Sequence, residues 1–169
     1  MAYSTEIADG LRALFGQMGV RARFEESGPI GLFTIEMKLH CKLQTARMLV
    51  LVREDNLSTL TTIPLAADED NRLAVAEYLT RANFNMRNGN FELNMADGEI
   101  RFKTYLHASG GHLDIAGARL AVLMPFLMID RYGDGLLEVL FGFRSPREAM
   151  EGIEGGAQVQ EACTWSLYR

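Results

Sequence analysis

The sequence predicts an α+β domain: a single antiparallel sheet of about five to six strands with helices packed on one face. Two observations carry this expectation. Several alternating, strand-like segments follow one another directly through short turns, which favours antiparallel pairing. Segments with helical spacing come before the strands, between them and after them instead of alternating with each one, so a parallel α/β sheet is not expected.

Ile7, Leu11, Leu14, Phe15 and Met18 recur at three- and four-residue steps and place one apolar stripe on a first helix that Gly19 can end. Val20, Ala22 and Phe24 then alternate with Arg21, Arg23 and Glu25, and Ser27-Gly28-Pro29 turns the chain. From Phe33 through Ile35, Met37, Leu39 and Cys41 every second residue is apolar, the pattern of a half-buried antiparallel strand. Ala46 to Arg53 contains Met48-Leu49-Val50-Leu51-Val52, apolar on both faces, and is expected at the centre of the sheet. Thr59 to Ile63 is β-branched and reads as a further strand closed by Pro64. Asp68-Glu69-Asp70 opens a helix with Leu73, Ala76, Leu79 and Ala82 inward, ending near Asn83; acidic residues suit a first turn.

The segment from Gly89 to Leu106 predicts a hairpin. Asp97-Gly98 between two alternating runs is a strong signal for a two-residue type I′ turn. That turn would pair Met95 with Ile100, Leu93 with Phe102 and Phe91 with Thr104 on an apolar face, and Glu92 with Lys103 and Asn94 with Arg101 on the other. Asp114 is a candidate N-cap for a helix with Ala118, Val122, Leu123 and Phe126 inward, kinked by Pro125 and broken at Gly133 to Gly135. Ser145-Pro146-Arg147-Glu148 is a capping box that starts a last helix, which Gly155-Gly156 stops. The organisation is thus one domain over residues 1–156 and a tail over 157–169 with Trp165, Leu167 and Tyr168, expected to dock on the domain or on a dimer mate.

At 169 residues the chain is long enough to bury a single core, and 48% hydrophobic with 23% charged residues is ordinary for a soluble globular protein. A net charge of −5 disfavours a grip on phosphate backbones, so nucleic acid is not an expected partner. No segment has the character of a secretory signal, and Ala116 to Met128 is too short and too interrupted for a bilayer, so no membrane association is expected. The two cysteines, Cys41 and Cys163, read as free thiols of a cytoplasmic protein.

Three stretches spanning roughly Pro64 to Glu154 act together. They are Leu79-Thr80-Arg81-Ala82-Asn83-Phe84; Gly89-Asn90-Phe91-Glu92-Leu93 with Asp97-Gly98-Glu99-Ile100-Arg101; and Asp130-Arg131-Tyr132 with Val139-Leu140-Phe141-Gly142 and Ser145-Pro146-Arg147-Glu148-Ala149. In combination they resemble the YbjN family of bacterial proteins, whose fold is similar to type III secretion chaperones. The first sixty residues match only in outline, and Pro125 and the aromatic tail depart from the pattern. The resemblance implies a small cytoplasmic regulator of sensory or stress responses without catalytic activity, and a chaperone-like fold implies protein or peptide binding, often as a homodimer. Its motif positions here are Asn83, Gly89, Phe91, Asp97, Gly98, Arg101, Tyr132 and Gly142, mainly structural.

The residues themselves offer no catalytic set. The three histidines are His40, His107 and His112; His40 and Cys41 are neighbours on one expected strand and point to opposite faces. His107 and His112 flank Ser109-Gly110-Gly111, but two ligands without a third make a weak metal site, and exposed loop histidines are the simpler reading. Asp68-Glu69-Asp70 lacks the glycine turn and closing glutamate of a calcium loop. Ser109-Gly110-Gly111 lacks a phosphate-binding motif and reads as a turn. Arg81, Arg87, Arg101 and Lys103 are interleaved with Glu92 and Glu99, the pattern of a solvated face, and methionines such as Met86, Met95, Met124 and Met128 fit a core. No cofactor is expected. The leading expectation is a non-enzymatic adaptor that binds a protein or peptide through an apolar groove or a sheet edge, with a small-molecule-sensing regulator as the alternative.

Overall fold

The computed structural model describes residues 3–84, 86–108, 110 and 112–160, the last seven of these as backbone only. Helix α1 (Thr5–Met18) begins where the Ile7 N–H donates to Ser4 Oγ and ends at Gly19 with φ 67°, burying Ile7, Leu11, Leu14 and Phe15. Strands β1 (Ala22–Ser27), β2 (Ile30–Lys38), β3 (Thr45–Val52) and β4 (Asn56–Ala66) follow as a meander. Helix α2 (Arg72–Asn83) leads to the hairpin of β5 (Asn90–Leu93) and β6 (Glu99–His107), and α3 (Ile115–Leu140) and α4 (Pro146–Gln160) complete the described chain. The strands form one antiparallel sheet in the order β1-β2-β3-β4-β6-β5. The α+β class is therefore as expected.

All four helices cover the same face. The sheet residues that enter the core share one parity: Phe33, Ile35 and Met37; Met48, Val50 and Val52; Leu57 and Ile63; Ile100 and Phe102. One group of core residues joins α1 and the first half of α3 to β2, β3 and β4. A second joins α2, the rest of α3 and the start of α4 to the sheet's β5–β6 side and to the turn between β2 and β3. Between them lies a buried layer of Thr59, Thr61 and Thr104.

That layer resolves the problem posed by Pro125. The helix runs unbroken through it, with its ring buried. A proline cannot donate to the carbonyl four residues back, here Ala121. Thr104 Oγ1 donates to that carbonyl instead, at 2.9 Å, and lies 2.7 Å from Thr59 Oγ1, whose hydroxyl supplies the next hydrogen.

Several sequence expectations shift. The hairpin is paired two residues away from the type I′ register: Phe91 faces Phe102, Glu92 faces Arg101 and Leu93 faces Ile100. The loop holds four residues, closed by Asn94 N–H to the Glu99 carbonyl and Gly98 N–H to the Asn94 carbonyl. Gly98 has φ 78° while Asp97 does not enter the left-handed region, and the Asn94 and Asp97 carboxamide and carboxylate oxygens bond the N–H groups two residues on. A shift of two preserves the faces, so only Met95 leaves the apolar side, at 52% exposure.

The strand expected to reach Cys41 stops at Lys38, because Asp130 Oδ1 takes the N–H groups of His40 and Cys41 and Asp134 Oδ1 takes that of Lys42. Strand β4 continues past Pro64 to Ala66, with its register broken between Thr62 and Ala66, the kind of irregularity that tolerates a proline. The acidic run forms the turn before α2: Asp68 Oδ1 accepts from Asp70 and Asn71 N–H, and the helix starts at Arg72. Its inward face is Val75, Tyr78, Leu79 and Ala82, leaving Leu73 exposed.

Helix α3 does not break at Gly133 to Gly135. These glycines serve close approach: a Cβ at 133 would sit 2.7 Å from Cys41 Sγ, and one at 135 would sit 2.5 Å from Tyr78 Oη. Helix α4 starts at the expected capping box, with Ser145 N–H donating to Glu148 Oε2 and Glu148 N–H to Ser145 Oγ, but it passes Gly155-Gly156 and reaches Gln160. Trp165, Leu167 and Tyr168 lie outside the described residues.

Candidate functional site

Four motif residues converge at one corner of the sheet, around the edge strand β5. The Asn83 side chain accepts from the Phe91 N–H at 2.7 Å and donates to the Phe91 carbonyl at 2.9 Å. It thereby occupies both outward backbone groups of that residue, as a neighbouring strand would. The Phe91 ring packs edge-on against Phe102 (4.9 Å) and Tyr132 (5.9 Å). Gly89, at φ 82°, lets the chain pass under the Phe102 ring. The Tyr132 carbonyl accepts from the buried Tyr78 hydroxyl at 2.7 Å.

Gly98, Arg101 and Gly142, also among the motif positions, make other contacts. A Cβ at Gly98 would fall 1.8 Å from the Ala67 carbonyl oxygen, and Ala67 N–H donates to the Gly98 carbonyl, so the hairpin tip is tied to the strand-to-helix connection. Arg101 bonds Glu92 at 2.7 Å, with Lys103 3.3 Å from the other oxygen of the same carboxylate. Burial works to raise the Glu92 pKa, but the hydrogen bonds and charges of Arg101 and Lys103 together outweigh it and hold the carboxyl below its ordinary value. Gly142, at φ 68°, turns the chain after α3, away from this corner.

The histidines do not converge on a nucleophile or a metal site. His40 is exposed, with Nδ1 2.9 Å from Asp130 Oδ2. Cys41 beside it is buried; desolvation foremost, with the carboxylates of Asp130 and Asp134 adding to it, pushes its thiol up to about 11, which keeps it protonated at neutral pH. His107 is the last residue of β6, and His112 sits 2.6 Å from Glu6 across to α1. Among the described residues no group of three or more His, Cys, Asp or Glu is placed to hold a metal ion. Of the basic residues, Arg81 is paired with Glu77, and Arg101 and Lys103 with Glu92.

No family model matches the chain, and no curated protein matches it.

Large exposed apolar side chains stand at Leu73, Phe84, Phe141 and Phe143, and the sheet face opposite the helices carries a further apolar group around Tyr105. The residues of that face form rows across the strands. One row runs Glu25, Leu32, Leu51, Ser58, Tyr105, and the next runs Arg23, Thr34, Leu49, Leu60, Lys103, Asn90. The third is Glu36, Arg47, Thr62, Arg101, Glu92. The four leucines are half-buried by their neighbours in the sheet, and Tyr105 is 60% exposed. No helix among the described residues packs against them. Charges frame this centre: Glu36 with Arg47, and Glu92 with Arg101 and Lys103. Beside Arg101 the same face holds an open, polar depression of about 490 Å³ lined by Glu92, Leu93, Asn94 and Glu99. The sequence places Met48 to Val52, apolar on both faces, at the centre of the sheet, and β3 does lie between β2 and β4, third in the order of six strands. The apolar residues at both parities of β3 supply a core side and a second apolar side that no described helix covers.

Proposed function

We propose that this chain is a non-enzymatic, chaperone-like bacterial adaptor, similar to the YbjN family, that binds a protein or peptide partner across the sheet face that no described helix covers. The observation that carries the reading is the patch of Leu32, Leu49, Leu51, Leu60 and Tyr105 at the centre of that face. Apolar side chains grouped on a surface and rimmed by polar ones suit association with another chain. An aromatic side chain with a polar end, such as Tyr105, suits the same use. A partner would displace water from the leucines while the charged rows limit how it can lie.

The test compares the wild-type chain with a Leu49→Glu/Leu60→Glu variant, two positions directly opposite each other on the open face. The variant replaces two half-buried leucines with carboxylates that face one another, so it should melt below the wild type, and the comparison is made at a temperature at which circular dichroism shows both chains folded. The wild type should retain from native lysate a stoichiometric partner, identified by mass spectrometry, that the variant loses. A partner retained equally by both, or none retained by either, contradicts the reading. The alternative, a small-molecule-sensing regulator, would use the polar depression beside Arg101. A metabolite thermal-shift screen separates the two, because a ligand at a hundred times its Kd adds about 2.7 kcal/mol of stability.

A further inference from the structure

The two edges of the sheet are unequal. On β5, four residues long, the Asn83 amide takes up the outward N–H and carbonyl of Phe91. On β1, six residues long, no side chain among the described residues bonds the backbone; its one side-chain contact of this kind is Tyr3 Oη to the Glu26 carboxylate at 2.6 Å. A strand edge left this way can pair with another strand. Charged side chains usually discourage that, and β1 carries Arg23, Glu25 and Glu26. Their order decides the matter.

We propose that β1 pairs antiparallel with β1 of a second copy of this chain, about a two-fold axis normal to the sheet and centred on Phe24. Such an axis keeps the helix-covered faces of both copies on one side, so a residue can lie opposite only residues of its own parity. Centring on Glu25 would set Glu25 against Glu25 of the second copy, and centring on Arg23 would set Arg23 against Arg23. Centring on Phe24 sets Arg23 against Glu25 and Glu25 against Arg23, so the charge match is made twice by one symmetry. Arg23 and Glu25 are exposed and, among the described residues, in no ion pair, unlike Glu36 with Arg47 or Glu92 with Arg101 on the same face. On the covered side the axis brings Phe24 to Phe24. Each of these rings already extends an aromatic row, 4.7 Å from Phe33 and 5.7 Å from Tyr3, with the Arg12 guanidinium 4.2 Å above it. The pairing would set the two uncovered faces side by side as one continuous surface.

Light scattering coupled to size exclusion tests this with the full chain over the micromolar range. The wild type should run at twice its 18.9 kDa. Arg23→Glu alone and Glu25→Arg alone each place like charges opposite one another twice and should be monomeric yet folded, with the wild-type circular dichroism spectrum, because both side chains are exposed. The double variant R23E/E25R exchanges the signs and should restore the dimer. A monomeric wild type, single reversals that leave the dimer intact, or a double variant that stays monomeric would each overturn the proposal. The inference does not depend on the partner proposed above, since single-reversal monomers should still show the leucine patch.

Discussion

Three threonines of one buried layer make the same side-chain chemistry carry opposite consequences. Thr104 Oγ1 supplies the donor that Pro125 withholds from the Ala121 carbonyl, and accepts from Thr59. Thr61 Oγ1 is fully buried with no partner among the described residues. Thr104→Val should therefore cost about 1–3 kcal/mol, the penalty of a buried group left unpaired. Thr61→Val, isosteric and relieved of an unpaired hydroxyl, should be neutral or stabilising in the same urea titrations. The link to Pro125 is tested by a double-mutant cycle: Pro125→Ala restores a backbone donor to Ala121, so it should be less costly in the Thr104→Val background than in the wild type. Glu92 has an equally definite sign. Its folded pKa lies below the unfolded value near 4.3, so its stabilisation is complete above that value and is lost as pH falls through the lower, folded one. Glu92→Gln should flatten the fall of Tm with acidification below about pH 5.

Among the elements, β5 depends most on a single side chain. It has four residues and lies at an edge, held on one side by β6 and on the other by Asn83. Asn83→Ala should free the Phe91 N–H and carbonyl, speed hydrogen exchange at the Phe91 amide relative to the core amides of β3, and lower stability by about 1–2 kcal/mol. Unchanged exchange at Phe91 would remove Asn83 from this role. The element level also shows what could be read from the chain. Alternation in β2 and β6, the α1 stripe with its Gly19 stop and the α4 capping box are local signals, and the structure follows them. The hairpin register was legible only modulo two: polarity requires Phe91, Leu93, Ile100 and Phe102 to share a face, and a shift of two residues satisfies that equally. The observed pairing goes with local bonds of Asn94 and Asp97 in the loop and with a tertiary contact, the seat of Gly98 against Ala67. Gly133 and Gly135 misled for a related reason. A glycine that weakens a helix and a glycine that admits Cys41 or Tyr78 are the same letter until the packing is known.

On the scale of the whole molecule, the consequential property is that, among the described residues, four helices cover one side of a six-stranded sheet and none covers the other. The sequence marks which residues of β3 are apolar but not which side the helices cover, because that is decided by where α1, α3 and the α2–α4 pair come to rest. Leu49 and Leu51 were thus visible as apolar residues and invisible as a surface. The motif residues had the opposite fate. Of the eight motif positions, Asn83, Gly89, Phe91 and Tyr132 come together in the fold, and their geometry accounts for them as the fastening of an edge strand. The proposed binding surface is tested most directly by placing a photo-activatable benzoylphenylalanine at Tyr105, on the open face, and separately at Gln17, exposed on α1 on the helical side, in cells expressing the chain. The expected result is a discrete adduct from position 105 that is absent from position 17 and is lost with the Leu49→Glu/Leu60→Glu changes. No adduct at 105, or the same adducts from both positions, would contradict a partner-binding role for the open face.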